Sequence, residues 1–341
     1  MKSSAVDHAE PVPSDRNRPV LALGEALVDF IVSDGANALE LASAFVARIG
    51  GAPANVTVAL RRLGLRSKFV GVVGDDPFGD RIRATLDAEH VDVSGLRVTS
   101  DFDTTVAFAW KDAAGDGHFE LFRGADAALS GQDVERAELG QASTLVIGSV
   151  ALAASPSRRS IEHAVEIANT LSIPVCFDVN LRPTLWPTPE AAKMACLPLV
   201  ARCRLLKLSL DDARGLLQPD VQPEAVVEHF ALAPAVGSTV GPRMVVLTDG
   251  NRGCWYQSAA GAGVKHMPAF SVNAVEPTGA GDAFTAGLLH RLIQSGFSEL
   301  DDDDVRYAAA AGALATTRHG ALDGLPTETI LTQFLAERDA G

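Results

Sequence analysis

The chain alternates short apolar runs with longer segments whose apolar residues recur at helical spacing. Four of these runs have the length of buried strands: residues 144–148, 174–178, 204–208 and 243–247. Apolar strands that alternate with amphipathic helices are typical of a parallel sheet covered by helices on both faces. The pattern therefore predicts an α/β fold with a mainly parallel sheet.

The amino-terminal third shows a second pattern. Residues 19–31 predict a first strand and residues 68–74 another. Residues 106–110 and 118–122 alternate with a period of two around a turn-rich link at 112–117, which indicates a hairpin. One face of such a hairpin needs cover from the main domain, a substrate or a second subunit.

Polar residues follow three of the predicted strands, at 178–182, 207–212 and 248–250. In open α/β sheets, ligands bind outside the carboxyl ends of the strands. Because the carboxyl ends of parallel strands share one edge, we expect these three clusters to form one binding site.

Residues 277–284 (Pro-Thr-Gly-Ala-Gly-Asp-Ala-Phe) form a small-residue turn before an apolar helical run. A turn that feeds a helix directs free N–H groups at one point, which suits a phosphate. An acid beside an anion site is electrostatically awkward unless it acts as a general base, so Asp282 is a candidate base. The alternative is an ordinary helix cap.

Composition limits the partners. The 341 residues are 47% hydrophobic and 21% charged, and the net charge of −14 argues against nucleic acid or an anionic membrane as a partner. No run is apolar enough to span a bilayer. Four cysteines without metal spacing favour a reducing cytoplasm. Residues 1–18 read as a disordered polar tail.

Two motifs resemble the signatures of the ribokinase-like (PfkB) carbohydrate kinases. Residues 278–282 (Thr-Gly-Ala-Gly-Asp) resemble the carboxy-terminal signature, and residues 50–55 (Gly-Gly-Ala-Pro-Ala-Asn) the amino-terminal one. The resemblance is greatest to fructokinases and implies a single ribokinase-like kinase domain over 19–341. It also implies a small β-lid built from segments near 30–49 and 99–124.

The resemblance gives the anion turn its roles. Asp282 is expected to deprotonate a primary hydroxyl of a sugar as that oxygen attacks the γ-phosphate of ATP. The N–H groups of Gly279, Ala280 and Gly281 are expected to stabilise the charge on the transferring group.

The expected sugar contacts come from the lid, the first helix and the strand ends. They are Asp29, Gly51, Asn55, Arg123, Asn180 and Arg182. Simpler roles stay open for four of them: a solvated strand end for Asp29, a local backbone bond for Asn55, a surface salt bridge for Arg123 and an ion pair with Asp178 for Arg182.

The expected nucleotide contacts are Lys207, Ser209, Thr248, Gly250 and Gly253, together with Gly279 and Gly281. Asp212 is expected to meet magnesium through water, although a surface acid opening a helix is the alternative. Glu276 stands where the family has an aspartate near a monovalent cation.

The resemblance thus implies an ATP-dependent sugar kinase that phosphorylates fructose, with Mg²⁺ and a K⁺ response, and that forms a homodimer through the lid. The cysteine content places it in the cytoplasm. The alternative substrate is 2-keto-3-deoxygluconate, whose carboxylate Arg123 and Arg182 would clamp. A catalytically silent binding protein is the alternative from another class, which the departures from the family pattern at Glu276, Ser209 and Ala309 keep open.

Overall fold

A computed structural model describes residues 17–114, 117–232, 244–258 and 262–339. The predicted tail, residues 1–18, lies outside this part of the chain except for Asn17 and Arg18. The predicted link at 112–117 and the predicted strand at 243–247 each fall partly outside it.

A large sheet forms the centre of the described chain, in the order β13-β12-β11-β10-β9-β8-β1-β4-β5. It is parallel except for β12 and β13, which run antiparallel at one edge. Its strands are β1 (Val20–Leu23), β4 (Ser67–Gly74), β5 (Asp92–Thr99), β8 (Thr144–Ile147), β9 (Val175–Asp178), β10 (Leu205–Ser209), β11 (Met244–Thr248), β12 (Cys254–Gln257) and β13 (Lys265–Met267). The predicted mainly parallel α/β fold is confirmed.

A second, smaller sheet has the order β3-β2-β6-β7. Its strands are β2 (Leu27–Val32), β3 (Phe45–Gly50), β6 (Val106–Lys111) and β7 (Gly117–Phe122). The prediction of one strand over 19–31 is wrong, because the chain leaves the large sheet after Leu23 and enters the small sheet at Leu27. Glu25, buried at the crossing, separates the two strands.

Ten helices of the described chain cover the large sheet. They are α1 (Ala52–Arg62), α2 (Pro77–Ala88), α3 (Gly131–Arg136), α4 (Ser157–Thr170), α5 (Pro189–Val200), α6 (Leu210–Leu216), α7 (Pro223–Ala231), α8 (Ala280–Gln294), α9 (Asp302–Ala315) and α10 (Glu328–Asp339). Two separate apolar clusters result, one on each face of the sheet. Burial on both faces explains the uniformly apolar strands.

The edge strand β5 has no counterpart among the predicted elements, because it contains small and polar residues and only one side packs on β4. None of the helices in the described ranges combines the length and apolar character needed to cross a bilayer. The carboxyl ends of β1, β9, β10 and β11 meet the small sheet and the start of α8, and this meeting point is the candidate active site.

Candidate active site

The turn before α8 has a backbone shape that glycine accepts readily. Gly279 has φ 83°, and a Cβ atom there would lie 2.6 Å from the carbonyl oxygen of Ala321. Both conditions disfavour a larger residue. The 15 residues of α8 follow, with the positive end of the helix dipole at the turn.

Four N–H groups of this turn have no backbone partner in the described chain, those of Thr278, Gly279, Gly281 and Asp282. Ala280 differs from its prediction, because its N–H donates to the carbonyl of Pro277 at 3.1 Å. The available donors therefore lie on both sides of Ala280. Such a turn at a helix start can bind an anion.

Asp282 is buried, with 8% of its surface exposed. Its Oδ2 accepts a hydrogen bond of 2.8 Å from Nδ2 of Asn55, although 227 positions separate the two residues in the chain. The Oδ1 atom of Asn55 is buried and has no partner among the described residues. The two glycine-containing motifs therefore meet through one carboxamide that still has an acceptor to offer.

The surroundings of Asp282 make it a weaker acid. Burial is the main cause that raises the pKa of Asp282 to about 6, and the charge of Asp178 adds to the rise. The hydrogen bond from Asn55 and the charges of Lys207 and Arg182 act in the opposite direction. A carboxyl with this pKa is ionised at neutral pH and accepts a proton more readily than an exposed aspartate.

A buried ion pair between β9 and β10 supports the turn that precedes α8. Lys207 Nζ lies 2.9 Å from Oδ1 of Asp178, and Thr285 Oγ1 donates to Oδ2 of Asp178 at 2.6 Å. A Cβ atom at Gly281 would lie 2.9 Å from Lys207 Nζ. Strands β9 and β10 thus hold the first two turns of α8, and Lys207 lies beside the anion turn. Its direct contact with ATP stays a prediction.

Arg182 does not pair with Asp178, so that simpler interpretation is wrong. Its Nη1 donates to Oδ1 of Asn180 at 2.7 Å, and its guanidinium lies over the ring of Phe119, 5.5 Å from the centroid. Phe119 belongs to β7, so Arg182 bridges the large and small sheets. Asn180 orients Arg182, and its own contact with sugar stays a prediction.

Asp29 lies on β2 beside Arg48 of β3 and Ala107 of β6 in the sheet register. Burial raises the pKa of Asp29 to about 7, although the charge of Arg182 opposes the shift. Asp282 and Glu276 add to the rise. Asp29 is therefore half-buried within electrostatic reach of the proposed base and not a solvated strand end.

Gly51 precedes α1, and the crossing residue Glu25 holds this helix start. Glu25 Oε1 accepts from the N–H of Ala52 at 3.2 Å, while its Oε2 is buried without a partner in the described chain. Burial raises the pKa of Glu25 to about 7. Glu25 is a site residue that was not predicted from the sequence, although an acid inside an apolar run is a usable signal.

Arg123 is held in an ion pair at the base of the small sheet. Its Nη2 lies 2.6 Å from Oδ2 of Asp126, and Thr105 also donates to Asp126. Asp126 is 2% exposed, so this is a buried pair and not a surface salt bridge. Contact of Arg123 with sugar stays a prediction.

The expected nucleotide contacts follow β10 and β11. Ser209 and Thr248 are register partners at the carboxyl ends of these strands. The turn from Gly250 to Gly253 leads into β12, and Gly253 has φ 91°. These residues lie along the same edge as Lys207, and their contacts with ATP stay predictions.

Asp212 is a buried residue and not a surface acid, with 6% of its surface exposed. Its Oδ1 accepts from the N–H of Leu181 at 2.7 Å and its Oδ2 from the N–H of Ser209 at 2.7 Å. These bonds join α6 to the loop after β9. The carboxylate of Asp212 thus already accepts hydrogen bonds from two backbone amides. A role for Asp212 in binding magnesium stays a prediction.

Glu276 lies below the turn, where Oε2 accepts from the N–H of Gly320 at 3.1 Å and lies 3.3 Å from Nδ1 of His319. Burial alone would raise the pKa of Glu276, but hydrogen bonds from Thr278, Gly320 and His319 hold it below its ordinary value. Glu276 therefore links the turn to the segment after α9 as an ionised acid.

The chain resembles known sugar kinases over nearly its full length. The pfkB family carbohydrate kinase profile matches residues 17–328. Fructokinase-1 of Zea mays is 33% identical over 323 residues, which are 93% of this chain and 97% of that protein. The fructokinase of Xylella fastidiosa, solved with bound ATP, superposes with a TM-score of 0.80 at 26% identity, covering 94% of this chain and 99% of that one. The fructokinase of Vibrio cholerae O395, solved with fructose, ADP and a calcium ion, has a TM-score of 0.77 at 30% identity, covering 94% and 100%.

Fold and similarity together define a phosphotransferase with the ribokinase-like architecture. The chain belongs to the pfkB family of carbohydrate kinases, and it is a sugar kinase.

Proposed function

We propose that this sugar kinase is an ATP-dependent fructokinase that makes fructose 6-phosphate. The contact between Asn55 and Asp282 carries the proposal, because one carboxamide holds the candidate base and keeps a buried acceptor for a hydroxyl donor. The similarity to curated fructokinases, at 33% for the maize protein, supports fructose as the acceptor.

In the proposed reaction, Asp282 takes the proton of the primary hydroxyl as the hydroxyl oxygen attacks the γ-phosphorus. The bond from that phosphorus to the bridging oxygen breaks, and ADP leaves. The free N–H groups of Gly279, Gly281 and Asp282 stabilise the charge on the transferring group. Asp29, Asn55 and Arg182 hold the sugar, with Gly51 at the helix start beneath it.

Magnesium would arrive with ATP and neutralise charge on its phosphates. The described residues contain no group of three or more His, Cys, Asp or Glu side chains that could hold a metal ion. Asp212 would therefore act at most through water, and Glu276 would influence a monovalent cation near the turn. Lys207, Ser209, Thr248 and the Gly250 to Gly253 turn would line the nucleotide.

The small sheet would close over the sugar and exclude water from the transferring phosphate. Phe119 supports this role, because it joins β7 to Arg182. We place the cytoplasm as the working compartment, in keeping with four cysteines that are all buried free thiols.

The outer face of the small sheet would form a homodimer. Phe108 contacts Phe30, Phe45 and Phe122 at centroid distances of 5.4, 5.5 and 5.6 Å. Phe122 stays 51% exposed in the monomer. Sedimentation equilibrium tests this: the wild type would be a dimer and Phe122→Ser a monomer, whereas a monomeric wild type rejects the dimer.

The substrate is tested by ADP formation with fructose and 2-keto-3-deoxygluconate offered separately, with Mg²⁺ and K⁺ present. We expect turnover on fructose, because Nε and Nη2 of Arg123 already donate to Asp126 and leave only Nη1 for a second carboxylate. Turnover on the sugar acid alone would replace fructose by that substrate. If neither substrate is turned over, other sugars are offered next, and no turnover on those would favour a binding protein without catalysis.

A further inference from the structure

A second cavity lies far from the candidate active site. It has a volume of about 510 Å³ and is lined by residues at the amino ends of β1, β4 and β5 and by the segment after α3. Along β4, Lys68 lines this cavity, and Gly74 ends the strand at the opposite edge. A strand rises about 3.3 Å per residue, so the six steps from Lys68 to Gly74 separate the two edges of the sheet, and the two sites, by roughly 20 Å. We call it the back cavity.

Lys68 is the most deeply buried charge of the back cavity. It is 7% exposed, in a strand whose residues are all buried. Its register neighbour on β5 is Asp92, yet Oδ1 of Asp92 accepts from the N–H of Ser94 at 2.9 Å. Within the described ranges Lys68 has neither a side-chain hydrogen bond nor a carboxylate within 4.0 Å.

Two arginines share the cavity, and they bond only to backbone carbonyls. Arg18 Nε donates to the carbonyl of Gln141 at 3.1 Å, and Arg66 Nη1 to that of Asn17 at 3.1 Å. In the described chain, neither arginine forms an ion pair. Three cations and the two carboxylates of Asp92 and Glu138 therefore line one cavity of a protein whose net charge is −14, and none of the three cations forms an ion pair in the described chain.

The stem of Lys68 is buried, but its ammonium is accessible from the cavity, so a strand position that an apolar residue could fill places a positive charge there. The Cε atom of Lys68 lies 3.4 Å from where a Cβ would stand on Gly95, so its stem packs on β5. The head group then extends to the cavity. An anion in the cavity would pair with an ammonium that has no carboxylate within 4.0 Å in the described chain.

The other residues that line the back cavity limit the class of ligand that it can bind. Asp92 and Glu138 are exposed carboxylates of the lining, and Ser94 adds a hydroxyl. They would repel a second anionic group but accept hydrogen bonds from hydroxyls. A volume of 510 Å³ also leaves room beyond a bare phosphate ion.

We propose that the back cavity binds a small polyhydroxylated oxyanion, with its phosphate or carboxylate on Lys68 and its hydroxyls toward Asp92 and Glu138. Arg18 and Arg66 contribute charge from the sides. The site is separate from the proposed fructokinase chemistry and does not depend on it.

The test is titration calorimetry of the full chain with glycerol 3-phosphate, glycerate and inorganic phosphate at matched ionic strength. We expect glycerol 3-phosphate or glycerate to bind more tightly than inorganic phosphate, and the tighter of the two identifies the anionic group. Lys68→Met should weaken that binding roughly tenfold or more. Arg83→Met, which removes one exposed positive charge on α2, should leave it unchanged.

Binding at the Gly279 turn would persist in Lys68→Met, so only the loss in this variant identifies the back cavity. Hydrogen exchange provides a second readout, with protection expected at residues 66–68 and 137–142. If Lys68→Met fails to fold, Arg66→Gln replaces it, with an expected loss of roughly threefold. Absence of binding by all three probes, equal binding by wild type and both variants, or protection confined to 279–282 overturns the proposal.

Discussion

The large sheet and the small sheet bring polar groups to the same site, but they differ in how those groups are hydrogen-bonded. On the large-sheet side, Asp178, Lys207 and Asp212 all have buried partners. On the side of the small sheet and α1, Asp29 has no side-chain hydrogen bond within the described residues, and Asn55 Oδ1 lacks a partner there.

This difference separates a scaffold from a binding surface. Buried polar groups that bond one another hold a fixed geometry, which a turn that stabilises a transition state requires. Buried acceptors without donors are costly by themselves, and a sugar carries many hydroxyl donors. The acceptor-rich side therefore fits the substrate, and the saturated side fits the chemistry.

The largest expected effect comes from the base. Asp282→Asn keeps the shape and the partner Asn55 but removes proton acceptance, so kcat should fall by roughly 10²–10⁴. In the wild type, kcat/KM should fall as pH drops through about 6, because protonated Asp282 cannot act as a base. Asp303→Asn, on exposed α9 surface, is the control. Full turnover by Asp282→Asn would reject the assignment.

The second effect concerns the scaffold. Lys207→Met leaves Asp178 buried without its cation, which should lower the free energy of unfolding by about 3–5 kcal/mol. Lys265→Met breaks the exposed pair with Asp302 and should cost less than about 1 kcal/mol. Urea unfolding compares them. Equal losses would mean that the Asp178 pair does not support the turn.

The hydrogen-bonded groups on the large-sheet side were harder to predict from the sequence than the two glycine-containing motifs. The turn at 277–284 and the glycines at 50–51 were visible because small residues before a helix have a direct physical meaning. The Asp178–Lys207 pair was not, because two neighbouring strands bring together residues 29 positions apart. From the sequence, the only ion pair considered for Asp178 was the one with Arg182.

Other differences have equally local causes. The break between β1 and β2 was missed because both strands are apolar and only Glu25 interrupts them. Phe119 was predicted as a strand residue, but its stacking under Arg182 depends on how the two sheets meet. The bond from Ala280 N–H to Pro277 depends on the turn geometry, which composition does not determine.

The third effect tests the junction between the sheets. The pKa of Glu25 is raised from 4.5 to about 7, so its stabilising contribution is complete below pH 4.5 and is lost as pH rises to 7. Relative to Glu25→Gln, the wild type should lose about 1.4 kcal/mol per pH unit across that window. Urea unfolding at several pH values measures the difference. Parallel stability profiles would show that Glu25 is ionised in the folded protein.

The smallest effect tests the contact between the sheets. Phe119→Leu keeps an apolar side chain but removes the aromatic face under Arg182, so KM for the sugar should rise roughly threefold to tenfold with little change in kcat. Phe122→Leu is the matched control, because Phe122 lies on the opposite face of β7, against Phe108. A rise in KM for Phe119→Leu alone would show that the small sheet acts on the sugar through Arg182. An equal rise in both variants would instead mean that any loosening of the small sheet weakens binding, and Arg182 would lose its special role.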